Sequence, residues 1–304
     1  MTPPTKGQTM TDNTPRIAFI GFGEAAQAFL SGWAPDAPAE ITAHDIKTAR
    51  EDTRAAMLAR YEGTGITGCD TPGQALAQAG AVFSVVTADQ ALVAARAAAP
   101  VLAPGTLWFD CNSCAPDTKR RAAEAIEASG GRYVDVAVMA PVHPKRHHVP
   151  LKISGPHAEA AAAVLRALDM RPEIAGDTVG QASSIKMIRS IMVKGLEALS
   201  AECLLAARRA GVEEQVLASL RASDPDVDWE QRTTYNLDRM MVHGLRRAAE
   251  MREVALTVEA LGLPPAMVGA TVDWQERIGR TATDPGAPDL IERLDRLLAI
   301  LGTP

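Results

Sequence analysis

The sequence predicts an α/β N-terminal part built on a parallel sheet, an all-α C-terminal part, and one long helix joining the two. Three observations carry this. Short apolar runs recur through residues 16–154 with helical stretches between them, the alternation of strands with crossover helices. After Gly180 the runs stop and the spacing is helical throughout. Between these regimes lies Gly180–Ala210, GQASSIKMIRSIMVKGLEALSAECLLAARRA, whose Ile185, Ile188, Met192, Leu196, Leu199 and Cys203 fall at steps of three and four. A helix of this length extends about 45 Å, too long for one half of the molecule. It is read as the spine between a first domain, 15–179, and a second, 180–304. Residues 1–14 are read as a disordered tail.

Taken in order, Arg16–Ile20 is the first strand, Ala25–Trp33 a helix, and Ile41–Asp45 a second strand ending in an acid. Between the first strand and the helix sits Gly21-Phe22-Gly23-Glu24-Ala25-Ala26. In this context G-x-G-x-x-G/A has a physical meaning. Gly21 permits the tight turn, Gly23 lets backbone approach a pyrophosphate, and Ala26 is small enough for helix packing. The helix start offers N–H groups and the positive end of its dipole to phosphate. Asp45, 22 residues after Gly23, is placed for the ribose hydroxyls. The first domain is therefore read as a Rossmann dinucleotide-binding domain, with Gly21, Phe22, Gly23, Glu24, Ala25, Asp45 and Thr87 as cofactor contacts. A carboxylate at 45 repels the extra phosphate of NADP and favours NAD; Lys47 keeps NADP possible.

Ala81–Val86 is an unbroken apolar run, hence a buried strand, and Thr87 stands at its end, where open α/β sheets bind ligands. Leu107–Asp110, Tyr133–Val138, Leu151–Ser154 and a short Glu173–Ile174 continue the sheet, with helices over Pro116–Ser129 and Pro156–Leu168. Beyond the spine, helices are expected over Asp228–His243, Leu245–Leu261, Ala266–Arg280 and Pro288–Leu301, punctuated by Asp224-Pro225 and Pro264-Pro265.

Composition excludes several roles. The net charge of −6, from 31 basic and 37 acidic residues, argues against nucleic acid, and 4 % aromatics against base-stacking platforms. The spine is interrupted by Arg189, Lys194, Glu197 and Glu202, so it is no membrane span. The N-terminus lacks the apolar core of a signal peptide. Four irregularly spaced cysteines then point to free thiols in a reducing cytoplasm.

Four groups of residues invite chemistry. Cys111-Asn112-Ser113-Cys114 is a C-x-x-C without a second pair to complete a zinc site; it reads better as a polar loop at a strand end, with Asn112 and Ser113 offering hydrogen bonds. His143-Pro144-Lys145-Arg146-His147-His148 admits a metal site, a solvated loop or an anion-binding loop; no metal centre is assigned. His243, Arg246, Arg247 and Glu250 are helix-spaced, either a solvated face with an Arg246–Glu250 pair or substrate contacts. Lys186 shares a face with Arg189 and Ser190. It suits a general acid/base beside a nicotinamide if burial or Arg189 lowers its pKa.

These motifs, in this order, resemble the β-hydroxyacid dehydrogenases, typified by 3-hydroxyisobutyrate dehydrogenase and more remotely 6-phosphogluconate dehydrogenase. GFGEAA is similar to the family's glycine loop. Asp110 to Pro116 is similar to its D-x-S-T-x-S-P substrate loop. Gly180 through Lys186 to Ser190 is similar to its G-x-G-x-x-x-K-x-x-N-N segment. The resemblance implies Lys186 as the catalytic lysine, assisted by Ser190 where the family has Asn. It also implies substrate contacts at Asn112 and Ser113, an active site in the interdomain cleft, and a homodimer packed through the C-terminal helices. Ala182 replaces the motif's second Gly, VAVMAPVHPKRHH replaces a Gly-rich loop after Asp135, and the nearest counterpart of a later Lys-Asp pair is Arg246 or Arg247. The closest branch is 6-phosphogluconate-dehydrogenase-like, with a mostly uncharacterised C-terminal domain.

The expected activity is hydride transfer between a small anionic β-hydroxyacid, or a related polar alcohol, and NAD or NADP. Asn112, Ser113, His143, His243 and Arg246 are the expected substrate contacts. The alternatives are an imine reductase or reductive aminase of the same architecture, which usually lacks the lysine, and a nucleotide-binding protein without turnover.

Overall fold

Every strand expected from an apolar run is present, and the sheet closes over them in a doubly wound order. The computed structural model describes residues 15–33 and 40–302; the expected tail at 1–14 lies outside the described residues. In chain order the elements of the first part are β1 (Ile17–Ile20), α1 (Glu24–Trp33), β2 (Ile41–His44), α2 (Glu51–Thr64), β3 (Thr67–Gly68), α3 (Pro72–Leu76), β4 (Ala81–Ser84) and α4 (Ala91–Ala98). They continue with β5 (Leu107–Asp110), α5 (Pro116–Ala128), β6 (Arg132–Val138), β7 (Pro150–Ser154), α6 (Ala158–Ala167) and β8 (Arg171–Gly176). The sheet runs β3-β2-β1-β4-β5-β6-β7-β8. It is parallel except where β6 meets β7, Val138 opposite Leu151. The order reverses between β1 and β4, so the crevice where such sheets bind dinucleotides opens beyond Ile20 and Ser84.

The strands read as continuous apolar runs because both faces are covered. On one face Phe19, Phe83, Phe109, Val134 and Val136 pack with Phe29 and Trp33 of α1 and with α6. On the other, Ala18, Val82, Trp108 and Tyr133 pack with α4 and α5. The few aromatics are concentrated here: Phe83 stacks on Phe109 with centroids 4.9 Å apart. The helices α2 and α4 are not legible in the sequence because neither carries a full apolar stripe. The buried residues of α2 are Met57 and Tyr61 alone, and α4 buries only alanines.

The chain divides into two compact units, the first ending at Lys186 and the second beginning at Met187. The helix α7 (Gln181–Ala210) is continuous across that point. The second unit continues with α8 (Glu213–Ser223), α9 (Trp229–Ala260), α10 (Ala266–Arg280) and α11 (Leu290–Leu301). Its core joins Leu204, Leu205, Leu237, Met240, Ile278, Leu294 and Leu297. Among the described residues no helix is long and apolar enough to cross a membrane.

One expectation for the helical part is corrected, and the burial of α7 runs against its apolar spacing. Asp228–His243 and Leu245–Leu261 are one helix, α9. Gly244 does not break it; it lets α10 approach. A Cβ there would lie 2.4 Å from the Gln275 carbonyl oxygen, and one on Gly279 would lie 2.5 Å from Leu245 N. The two backbones thus touch through a pair of glycines, a contact no larger residue allows. The apolar stripe of α7 is also not its buried side. Ile185, Ile188, Met192 and Leu199 are exposed, Met192 at 64 %. The buried positions Met187, Ser190, Lys194, Glu197 and Ala201 run along the opposite side. Charge on that side is tolerated because it is paired. Lys194 meets Glu250 at 2.8 Å. Glu197 takes hydrogen bonds from Arg247 Nε and Gln275 Nε2, each 2.8 Å.

Candidate functional site

The glycine turn is built around two constraints. Gly21 has φ +86°, and a Cβ on it would sit 2.8 Å from the Val85 carbonyl oxygen. Only glycine takes that conformation at that distance from β4. Phe22 is an anchor: its ring is buried against Phe19 and Tyr61, centroids 6.0 and 5.3 Å away. Its N–H donates to Asp45 Oδ2 at 2.8 Å, and its carbonyl accepts from Arg60 Nη1 at 3.2 Å. Around Gly23 a Cβ would meet nothing within 4 Å, so the turn is open on the side where α1 presents its first N–H groups. Glu24 is exposed there, and only its backbone and that of Ala25 suit a phosphate.

Asp45 stands at the end of β2. Its Oδ1 accepts from Lys47 N at 3.0 Å, while Oδ2 holds the Phe22 N–H. Each carboxylate oxygen keeps a second lone pair, so the side chain is oriented without being used up. Burial and then the Asp45 charge push the neighbouring Tyr61 phenol up to about 12. Thr87 is exposed just beyond β4.

A buried polar knot lies at the end of β5 and the middle of β6. Asp110 Oδ1 accepts from Asn112 N at 3.0 Å, from Asn112 Nδ2 at 2.7 Å and from Lys119 Nζ at 3.0 Å. Asp110 Oδ2 accepts from the Tyr133 hydroxyl at 2.7 Å. Lys119, wholly buried, also donates to the Asp110 carbonyl at 2.6 Å and lies 3.5 Å from Asp135 Oδ1. Burial alone would lower its pKa; the charges of Asp110, Cys114 and Asp135 hold it above the ordinary lysine value. Asp135 Oδ2 accepts from the N–H groups of Gly180 (3.1 Å) and Ser183 (3.0 Å), and from the Ser183 hydroxyl (3.0 Å). A carboxylate on β6 thus caps the start of α7, the favoured sign at a helix N-terminus. Ser154 of β7 adds a bond from Ala182 N at 3.0 Å.

That anchoring places Lys186, one turn into α7, against the β5–α5 loop, where its Nζ donates to Ser113 Oγ at 2.5 Å. Asn112 is 4 % exposed, and both its amide hydrogens point inward, to Asp110 and to Ser84 Oγ at 3.0 Å. The expected hold on a carboxylate is therefore not what Asn112 offers. Its remaining atom, Oδ1, is a buried acceptor without a hydrogen-bond partner among the described residues, suited to a hydroxyl or amide donor. Cys111 and Cys114 are free thiols, and burial pushes the Cys111 thiol up to about 12, which leaves it inert.

His143 is exposed, in a loop whose Arg146 donates to the Ser31 carbonyl of α1 at 3.3 Å. Ser190, in the second unit, accepts from Lys194 Nζ at 3.5 Å. Arg246 is 54 % exposed and lies 3.7 Å from Glu250, the pair its spacing implies; His243 is half-buried. Lys119 and Asp135 were missed. The signal was present: Lys119 interrupts the stripe of Pro116, Ala122, Ala123 and Ile126 in α5, and Asp135 interrupts YVDVAV.

Comparison with known proteins agrees with this geometry. Residues 16–169 match the NAD binding domain of 6-phosphogluconate dehydrogenase, and residues 207–278 match a domain of unknown function, DUF1932. A conserved hypothetical protein from Sinorhizobium meliloti 1021 is 38 % identical, over 97 % of this chain and all of its own, with a TM-score of 0.76. The conserved protein MTH1747, of unknown function and described as structurally similar to 3-hydroxyacid dehydrogenases, is 30 % identical over 88 % of this chain and 98 % of its own, TM-score 0.67. In fold alone, the chain is similar to 3-hydroxyisobutyrate dehydrogenase from Mycobacterium tuberculosis, at 16 % identity over 93 % and 99 % of the chains and a TM-score of 0.70. With a match spanning half the chain, a doubly wound sheet and a glycine turn shaped for a dinucleotide, this NAD(P)-binding protein belongs to the 6-phosphogluconate-dehydrogenase-like β-hydroxyacid dehydrogenase family, in the branch that carries DUF1932.

Proposed function

We propose that the protein is an NAD-dependent dehydrogenase of a small β-hydroxyacid or related polar alcohol, with Lys186 as general acid/base. One observation carries the reading: the lysine Nζ, held by a capped helix start, meets Ser113 Oγ at 2.5 Å beside the orphan acceptor of Asn112. The bound nicotinamide supplies the hydride chemistry. Gly21, Gly23 and the backbone of Glu24 and Ala25 hold its pyrophosphate, and Asp45 its ribose; the Asp45 carboxylate favours NAD over NADP. Lys186 takes the hydroxyl proton in oxidation and returns it in reduction. Ser113 orients the lysine, and Asn112 holds the loop that carries Ser113 through its bonds to Asp110 and Ser84. Ser190, on the next turn of α7, assists in orienting the substrate, while Arg246 and His243 are the proposed contacts for its anionic end. The proposed domains are residues 15–179 for the cofactor and 180–304 for substrate and dimerisation.

The test is a panel of small hydroxyacids and sugar acids with NAD and NADP supplied separately, following the absorbance of the reduced cofactor and, in parallel, cofactor binding by titration. Turnover with NAD exceeding that with NADP is expected. Intact cofactor binding with silence across the panel would overturn the substrate class and direct attention to cyclic imines or to a non-catalytic role.

A homodimer through the helical unit is part of the same proposal. It is supported by exposed Ile188, Met192 and Leu199 on α7 and Val242, Leu245 and Leu256 on α9, more apolar side chain than isolated helices leave in water. Sedimentation equilibrium at micromolar concentration should return twice the chain mass; the mass of a single chain would sink the dimer. The free thiols suit the cytoplasm.

A further inference from the structure

The basic stretch His143–His148, unused by the reaction above, folds into more than a solvated loop. The register of β7 on β8 sets Pro150 opposite Arg171. His148 and Asp169, two residues before each, are therefore neighbours at the start of two parallel strands. His148 Nε2 lies 2.7 Å from Asp169 Oδ2, and His147 Nε2 lies 3.5 Å from the same oxygen. The two imidazole centroids are 3.9 Å apart. One donor atom from each of the three residues falls within 4.8 Å of the others.

We propose that His147, His148 and Asp169 form a binding site for one divalent transition-metal ion of the zinc type, with solvent completing its coordination. Nothing in the sequence alone assigned a metal here. In a four-coordinate site with bonds of about 2.0–2.1 Å, ligand atoms stand about 3.3–3.4 Å apart. His147 and Asp169 are already at that spacing. His148 and Asp169 need to open by roughly 0.6 Å to reach it, a small displacement for two exposed side chains. Two imidazoles with one carboxylate suit Zn²⁺, Co²⁺ or Ni²⁺; Mg²⁺ and Ca²⁺ favour all-oxygen shells.

The surroundings hold the donors in place. His147 is 8 % exposed, with its ring against α1 at Gly32, where a Cβ would come 2.0 Å from Nδ1. Any larger residue at 32 would displace the ring. Asp169 is oriented through its other oxygen, Oδ1, which accepts from Arg171 Nη1 at 2.7 Å, the kind of outer contact that fixes a metal ligand. That guanidinium also donates to the carbonyls of Asp169 and Met170, so its charge is engaged away from Oδ2. The side chains of His148 and Asp169 are 44 % and 65 % exposed, which leaves an entry path and room for water.

The experiment uses the full chain, stripped with chelator and dialysed against micromolar Zn²⁺, with bound metal measured by atomic emission. Co²⁺ substitution adds a visible spectrum that reports nitrogen ligation and coordination number. About one equivalent is expected. Affinity should fall at least about tenfold, on the scale at which even outer contacts matter, in His148→Gln and in Asp169→Asn. Asn tolerates the left-handed backbone at 169 (φ +53°), and the exposed pairs it loses with His148 and Arg171 are worth about 1 kcal/mol or less each, so this variant should unfold within a few degrees of the metal-free parent. Failure of the parent to take up metal, or equal uptake by both variants, would overturn the site and leave a plain histidine–aspartate hydrogen bond.

Discussion

Replacing Lys186 with Met lowers turnover by about 10²–10⁴-fold, the range a positioned general acid/base contributes, while NADH binding stays within about twofold of the parent. Methionine keeps the length and much of the volume of the side chain but carries no proton. The split follows from the geometry: Lys186 contacts Ser113 on the β5–α5 loop, whereas the dinucleotide contacts are assigned to the turn after β1 and the end of β2. A second variant separates charge from proton transfer. Lys186→Arg restores a cation but not a group that can deprotonate, so it should stay as slow as the Met variant. Recovery with Arg would make the lysine an electrostatic contact, and full activity in Lys186→Met would remove it from the mechanism. Steady-state rates on the best substrate of the panel, with fluorescence titration of NADH, decide between these.

Replacing Lys119 with Met destabilises the fold by about 3–5 kcal/mol, the cost of leaving buried charge without its partner. Lys119 is fully buried with Asp110 and Asp135 on either side. The loss should appear as a lowered urea midpoint with a nearly unchanged slope. Pairing the change with Asp110→Asn should cost less than the sum of the two single changes, since both act on one network. A variant as stable as the parent at neutral pH would show that the knot is not held by this cation. Because Asp135 also caps α7, the same substitution should slow catalysis even where the protein remains folded.

The strands of the sheet and the cofactor turn were present in the sequence because both depend on local rules. Apolar runs such as AVFSVV are strands because two covering layers bury both faces, and Gly21 is required by the turn itself. The helices α10 and α11 likewise follow from spacing, and so does the Arg246–Glu250 pair, since a helix sets its own neighbours at i and i+4.

Tertiary structure decided everything that depends on a second element. Lys119 and Asp135 each interrupt an apolar pattern in sequence, but their meeting depends on how α5 packs against β5 and β6. Gly244 looks like a helix break until α10 lies against it. The apolar stripe of α7 looks like the buried side until paired charges on the opposite side prove to be buried instead. His147, His148 and Asp169 converge only through the β7–β8 register. The physical reason is the same in each case. Backbone propensity and periodicity act over a few residues, whereas the burial of a charge and the convergence of donor atoms are set by chain segments far apart in sequence.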